Sequence, residues 1–562
     1  MNAPWLSILI FMPLLAIVLL LFVPARYKQV FKIGTLLVTA LQLALGIFLF
    51  TSFDTTLGGV KEEQTMQWVE KLAWIDLRLG EWGQLSIQYF VGADGLSISM
   101  LLLAVIVLFM GAISSWQIQR QEKGYFILYL LLSSSIIGCF VALDFFLFYL
   151  FFEFMLLPMY FLIGIWGGKR RAYASIKFFI YTLVGSLLIL IAMISLYLSV
   201  MDPQQTALVM NLISSSDQYT PAIQAEIQAL LAAGEINPEA LVRTFDLIAM
   251  TDAKNFIPGS FLASKASIMA DWSPRMLIFF IVLVGFAIKL PVVPLHTWLP
   301  DAHVEAPTPI SVVLAGILLK IGGYGLLRIG IGIFPAEALQ FTWLIGCLGV
   351  VSIIYGAFNA LAMQDLKKLV AYSSVSHMGF VMLGIASFTQ EGFNGAIFQM
   401  FSHGILSAML FLIVGVLYDR THDRQITHYS GLLSQMPLYG TFTIIAFFAS
   451  LGLPTFSGFI GELFTILGGL GSSHLPAWMA VVATLGIVLG AGYFLWTLQR
   501  MYFGKLWLKY PQEWSPLLKD VNAREISMLA PLSLIAFATG ILPHLLFDTM
   551  TTSITQLLQF TL

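Results

Sequence analysis

Apolar runs of membrane-crossing length alternate with short polar stretches along almost the whole chain. A helix needs about 20 apolar residues to cross roughly 30 Å of hydrocarbon. By that measure fourteen helical spans are expected, near 5–23, 33–52, 97–116, 124–143, 145–166, 174–200, 276–295, 306–328, 340–362, 369–388, 393–417, 437–470, 475–499 and 526–547. The first run has no basic stretch before it and no small-residue cleavage site before Arg26, so it reads as a retained span rather than a signal peptide. Two runs are interrupted: Pro291 and Pro294 fall in the seventh, and Pro454, Gly458 and Gly461 in the twelfth. Run 437–470 is long for one helix and is read as a single broken one, with two short re-entrant pieces as the alternative.

Composition agrees with the pattern. The 562 residues are 59% hydrophobic and 10% charged, with a mean hydropathy of +0.88, which excludes a soluble globule. A net charge of -2 argues against nucleic acid as a partner. Cys139 and Cys347 lie alone in apolar runs, without a CxxC or a histidine at ligand spacing, so the sequence encodes no disulfide framework, zinc ribbon or iron–sulfur site.

Cytoplasmic loops carry an excess of Lys and Arg. Of the 28 such residues, eighteen fall in odd-numbered loops, eight in even-numbered loops or at a span end (Arg328), and two, Lys289 and Lys320, inside spans. Both termini are therefore expected on the outer side, together with the long polar segments 53–96 and 201–275. The second segment predicts an amphipathic helix over PAIQAEIQALLAAGE and another opened by Pro238 over PEALVRTFDLIAM. Neither carries evident chemistry, and both read as a surface cap or a contact to a neighbouring subunit.

An ionisable side chain within a span is costly and marks a functional path or a paired charge. Glu153, Lys289, Lys320, His377, His403 and Glu462 each belong to a different predicted span. The alternatives are static interhelical salt bridges for the lysines and glutamates and satisfied core positions for the histidines. Paired haem ligands are disfavoured, with one histidine per helix. His296, His303 and Glu305 suggest a metal site only weakly, because the proline in the intervening TWLPD spoils helical ligand spacing. Broken helices expose backbone groups that are tolerated where they line a hydrated cavity, and such sites bind ions. KLPVVPLHTWLPD and GLPTFSGFIGEL align on Leu-Pro five spans apart, an odd offset that gives opposite topology and points weakly to an inverted repeat.

FFEFMLLPMYFLIGIWGG, FAIKLPVVPLHTWLPDAHVEAPT, LAGILLKIGGYGLLR, DLKKLVAYSSVSHMG, FSHGILSAMLFL and LPTFSGFIGE, taken together and in order, resemble the antiporter-like proton-translocating subunits of respiratory complex I, and most of all its subunit M (chain 4) type. The resemblance is dense over roughly 90–500. It implies an all-α polytopic membrane fold of fourteen helices, with inverted five-helix repeats at spans 4–8 and 9–13 and broken helices 7 and 12. The corresponding units are 1–123, 124–335 with the outer insertion 201–275, 336–505 and 506–562. Glu153, Lys289, Lys320, His377, His403 and Glu462 match the family's proton-translocating positions. The last of these is typically lysine in L and N type subunits and in cation/proton antiporters, so glutamate favours M.

The resemblance also implies a bacterial cytoplasmic membrane, membrane-arm partner subunits including neighbouring antiporter-like chains, and no cofactor on this chain, with flavin, iron–sulfur clusters and quinone on partners. A cation/proton antiporter subunit and a membrane-bound hydrogenase subunit are the alternatives. The expected mechanism uses lysine chemistry. Burial disfavours the charged form of an amine, which allows proton exchange near neutral pH. Protons would enter from the cytoplasm at Lys289, pass Lys320, His377 and His403, and leave by Glu462, with Glu153 switching Lys289 from about 4 Å away.

Overall fold

The computed structural model describes residues 3–60, 63–78, 84–215, 218–264, 266–267 and 271–559. Lys61 and Lys265, counted above with the outer segments, lie outside the described residues. Among the described helices, eleven are long and apolar enough to cross a membrane, and three shorter apolar helices accompany them. The chain is a polytopic, mostly helical membrane protein.

Helices α1 (Trp5–Leu21), α2 (Lys28–Thr51), α3 (Gly95–Ser114) and α4 (Glu122–Val141) pack as one N-terminal group. The fifth predicted span is jointed at Met155 into α5 (Phe145–Phe154) and α6 (Leu156–Trp166). α7 (Arg171–Ser199) then crosses back to the insertion, which contains α8 (Pro221–Ala233). After it come α9 (Pro274–Lys289), α10 (Trp298–Glu305), α11 (Thr308–Ile331), α12 (Thr342–Ala362), α13 (Leu366–Ala386) and α14 (Gln390–Thr421). The chain ends in α15 (Pro437–Ser450), α16 (Ser457–Gly471), α17 (Ala477–Met501), α18 (Ala523–Ile541) and α19 (His544–Leu558).

Burial sorts these helices into layers. The apolar stretches of α11 and α14 are wholly enclosed and that of α13 nearly so, whereas α7 and α17 present leucine, isoleucine and valine outward at helical spacing, for example Ile176, Ile180, Val184, Leu187 and Ile191. Such a stripe suits lipid on one side and protein on the other. The polar residues placed above in predicted spans thus divide between a dry centre and the helices around it.

Both expected breaks are present. α9 stops at Lys289, and eight residues of turn containing Pro291 and Pro294 precede α10. The freed backbone is satisfied from the side: Trp298 Nε1 donates to the Ile288 carbonyl at 2.9 Å, and the Val293 N–H donates to Ser352 Oγ at 3.0 Å. α15 and α16 are parted by 451–456, where Gly452 takes a left-handed conformation. α11 is continuous, but residues Leu314–Leu318 and Leu326–Ile331 are π-helical and flank Lys320 on both sides. Nothing in the hydrophobic pattern announced this.

Three elements differ from the sequence reading. A small sheet covers one face of the bundle, built from the antiparallel strands β1 (Gln67–Arg78) and β2 (Gln84–Ala93) and the short parallel strand β3 (Val242–Thr244). All-α therefore holds for the membrane part alone. The alternation Leu85, Ile87, Tyr89, Val91 against Ser86, Gln88, Phe90 was a legible strand signal apart from its single exception at Phe90. The helix expected from Pro238 is a 3₁₀ turn, then β3, then a short helix at Leu247–Thr251, while α8 forms as expected. Docking against β2 supplies backbone partners that outweigh the weak local helix preference of Val242 and Thr244. The last span ends at Ile541 because Pro543 cannot continue it, and α19 turns to lie on α3 and α14.

Lys71 on β1 ties the sheet to the insertion, donating to Glu63 Oε2 at 2.8 Å and Asp246 Oδ2 at 3.2 Å. Burial works against its charge, but Asp246 and Glu63 outweigh burial and hold the ammonium above the ordinary lysine range.

Candidate functional site

The centre of the bundle is assembled by glycine. An added Cβ at Gly404 on α14 would lie 2.8 Å from the Gly316 carbonyl oxygen, and one at Gly316 would lie 2.7 Å from Val107, so α11 and α14 touch backbone to backbone. That approach puts Lys320, one turn beyond Gly316, against His403, the residue before Gly404. Lys320 Nζ donates to the Ala315 carbonyl at 2.6 Å and reaches His403 Nδ1 at 2.7 Å. With the ammonium donating, Nδ1 is the acceptor and the imidazole proton rides on Nε2. Replacing Gly404 with Val is expected to part the helices, weaken the lysine–histidine bond and destabilise the chain by about 1–3 kcal/mol. Thermal unfolding in detergent and recovery of the chain in membranes would measure that loss.

The line continues across α14 to α13 and α16. The His403 and His377 rings lie 5.5 Å apart, and His377 Nδ1 sits 3.0 Å from Glu462 Oε1. Gln399 Nε2 approaches the same imidazole nitrogen at 3.4 Å. Glu462 Oε2, His377 Nε2 and Gln399 Oε1 have no hydrogen-bond partner among the described residues. A small cavity bordered by Ser373, His377, Ser402, His403, Ser407 and Ser450 adjoins them, with room for on the order of one water. Ser402 Oγ donates to Ser457 Oγ at 2.8 Å, which joins α14 to the start of α16 at the second break. Four of the six sequence-predicted residues, Lys320, His403, His377 and Glu462, thus form one buried series.

Lys289 and Glu153 stand apart from it. The Lys289 ammonium has no hydrogen-bond partner among the described residues and lies 4.8 Å from the centre of the Phe152 ring and 5.8 Å from that of Phe178. No nitrogen–oxygen approach of 4.0 Å or less joins it to Glu153, so the expected contact pair is not closed. Glu153 instead lies against Tyr149, one turn back on α5, with Oε1 unpartnered. The end of α9 still packs tightly on α11, because an added Cβ at Gly322 would meet the Leu290 nitrogen at 2.7 Å. Lys289 and Lys320 therefore sit on touching helices without a direct bond.

Sequence reasoning undervalued three residues. His303 on α10 is fully buried, stacks on Phe411 with ring centres 4.6 Å apart, and has neither ring nitrogen bonded. In the sequence it stands beside His296 and Glu305 only as a weak metal candidate, whereas His296 packs against Tyr355 and Tyr372. Lys367 lies between two predicted spans, where a loop is expected, but is buried and donates to the Ala306 carbonyl at 2.6 Å. Arg328 had been placed at a span end and is in fact paired with Asp94 at 2.6 Å, both side chains enclosed. One available signal was that the second half of a broken helix points its residues at the same interior as the first.

Two interrupted helices around an enclosed series of lysine, histidine and glutamate define an antiporter-like membrane subunit. The chain belongs to the NADH:quinone oxidoreductase/Mrp antiporter transmembrane family, whose model matches residues 142–489. It is 38% identical to NADH-quinone oxidoreductase subunit M of Rhodobacter capsulatus over 99% of this chain and 96% of that one. It is 36% identical to subunit M of Rickettsia prowazekii over 99% of each. Among solved structures, a chain of respiratory complex I from Thermus thermophilus superposes with a TM-score of 0.74 at 26% identity, covering 99% of each chain. A chain of the Mrp complex from a Dietzia species gives the same TM-score at 20% identity, over 99% of this chain and 98% of that one, and shows the fold alone.

Proposed function

We propose that this chain is the M-type proton-translocating membrane-arm subunit of an NADH:quinone oxidoreductase, in a bacterial cytoplasmic membrane with both termini outside. The single observation that carries the reading is the buried series Lys320–His403–His377–Glu462 at the centre of the bundle, with a water-sized cavity beside its two histidines. Full-length relatives named subunit M support the parent complex, and glutamate at 462 supports M over cation/proton antiporter relatives.

Each residue has a chemical part. Lys320 holds a proton that it passes to His403. A histidine whose one nitrogen accepts while the other donates relays a proton by changing tautomer. His377 does the same toward Glu462, helped by water in the serine-lined cavity. Lys289 takes up protons at the first break, where the ammonium has no fixed partner, and Glu153 sets its affinity by moving nearer or farther. Electron transfer, flavin, iron–sulfur clusters and quinone belong to partner subunits, so this chain contributes translocation alone. The 2.7 Å approach of Lys320 Nζ to His403 Nδ1 supports His403 as the first of the two histidines on the path.

The test is proton pumping by the assembled complex in proteoliposomes, measured against NADH oxidation. Glu462→Gln is expected to impair turnover severalfold, and Glu462→Lys to retain part of it, because related subunits place an ammonium at this position. A purely structural His377–Glu462 pair would give the opposite ranking, since charge reversal beside another cation is worse than neutralisation in low dielectric.

A further inference from the structure

The pair Arg328–Asp94 takes no part in the series above, yet it is the most deeply buried ion pair among the described residues. Arg328 lies eight residues beyond Lys320 on α11, about 12 Å along the helix, toward the face covered by the sheet. Its Nη2 donates to Asp94 Oδ1 at 2.6 Å and to Ser97 Oγ at 3.1 Å, and its Nε donates to Tyr324 Oη at 3.3 Å. Tyr324, one turn from Lys320, donates in turn to the Phe140 carbonyl at 2.9 Å. Asp94 caps α3 and follows directly on β2, so it stands where the membrane helix meets the sheet.

Two features separate this cluster from an ordinary helix clamp. Asp94 Oδ1 accepts from Arg328, from the Ser97 N–H at 3.0 Å and from Ser97 Oγ at 2.8 Å, while Oδ2 is buried with no partner at all. Polar contacts to α19 surround it: the Gly95 N–H donates to Ser553 Oγ at 2.9 Å, Ser553 Oγ donates to the Gly58 carbonyl, and one turn deeper on α3 Ser99 Oγ lies 3.4 Å from Thr549 Oγ1. Tyr324, Ser97, Asp94 and Ser553 are thus a run of buried polar groups between the Lys320 turn and the outer segment at Gly58, and polar groups in a row in a proton-moving protein are a leak unless they are barred. A guanidinium cannot give up its proton, so Arg328 cannot relay and can only repel. A fixed buried cation is an effective barrier to protons and metal cations.

Resting on the function proposed above, we infer that Arg328, held by Asp94, is the outer barrier that stops protons running back from the outside to Lys320. A proton arriving from the outer side meets Asp94 Oδ2, which has no other partner, and the guanidinium, which gives up no proton, stands between it and Lys320.

The test measures passive proton flux across proteoliposomes of the whole complex, with quinone reduction inhibited and a potential imposed. Removing one charge strands the other in the dry interior, so the decisive variant is the double Arg328→Gln/Asp94→Asn, which keeps polar shapes and leaves no lone charge. It is expected to assemble and to leak about tenfold faster than the parent, a barrier lower by roughly 1.4 kcal/mol. Arg328→Lys is expected to assemble but to leak more than the parent, because a buried lysine can release a proton where a guanidinium cannot, and adding Lys320→Met to the double variant should close the leak, because the leak runs through Lys320. A double variant that assembles and is as tight as the parent overturns the inference. So does one that fails to assemble while Arg328→Lys assembles, since the pair would then be a folding element. Neither result touches the proposed function, which stands or falls on coupled pumping by Glu462 and Lys320 variants.

Discussion

Lys320→Met is expected to abolish proton pumping while the complex still assembles. The side chain is fully enclosed and makes two contacts, to the Ala315 carbonyl and His403 Nδ1. Methionine fills similar volume without a proton to give. The two acceptors left unbonded cost about 1–3 kcal/mol each, which a long, tightly packed helix absorbs. Translocation loses its carrier, and a fall in pumping of at least about a hundredfold, roughly 2.7 kcal/mol on the barrier, is expected. The sharper comparison is Lys320→Arg. Arginine keeps the charge and both donors but cannot release a proton. A static role for the lysine predicts near-normal function in that variant, and a carrier role predicts loss. Acridine-type measurement of proton uptake beside NADH oxidation in the same vesicles separates the two, and normal pumping by Lys320→Met would remove this residue from the path.

Glu153→Gln is expected to nearly abolish pumping and coupled quinone reduction, with Glu153→Asp retaining part of both. Two unit charges about 4 Å apart interact by roughly 4 kcal/mol at an effective dielectric near 20. The structure holds Lys289 and Glu153 outside that contact, with Phe152 beneath the ammonium, so closing the pair is available as the step that changes the lysine's hold on its proton. Glutamine removes the charge and leaves the shape. The joint in span 5 then decides which relocation rescues. Tyr149 lies one turn before Glu153 on the same helix and against its carboxylate, so Glu153→Ala with Tyr149→Glu is expected to recover some activity. Leu157 lies beyond the joint at Met155 and is 48% exposed toward the outside of the bundle, so Glu153→Ala with Leu157→Glu is expected to recover none. Normal pumping by assembled Glu153→Gln would make the pair structural.

The membrane-crossing character, both breaks and the presence of charge in apolar runs were legible because each rests on a local cost. About 20 apolar residues are needed to cross a bilayer, a proline in mid-helix removes a backbone donor wherever it stands, and a charge in an apolar run is expensive whatever its neighbours. The sheet was half legible: β2 alternates nearly as a strand should, but a loop assignment hid it. Arg328 and Lys367 were misjudged because counting charges by loop assigns a residue near a span end to solvent, although its depth depends on which helices enclose it. The π-helical stretches around Lys320 left no trace in the pattern, since an extra residue in a helix shifts side chains without changing their polarity.

By itself, then, the sequence determined a polytopic membrane protein with two interrupted helices, a particular set of titratable groups in its interior, and the family they belong to. Only the tertiary structure decided who bonds to whom. Gly316 against Gly404 brings Lys320 to His403, the turn after α9 leaves Lys289 over Phe152 rather than on Glu153, and α3 beside α11 gives Arg328 to Asp94. Those pairings join residues up to 234 positions apart, as from Asp94 to Arg328. They depend on how closely two backbones can approach and on which ring fills a gap, quantities set by packing between distant segments and absent from any local run of residues.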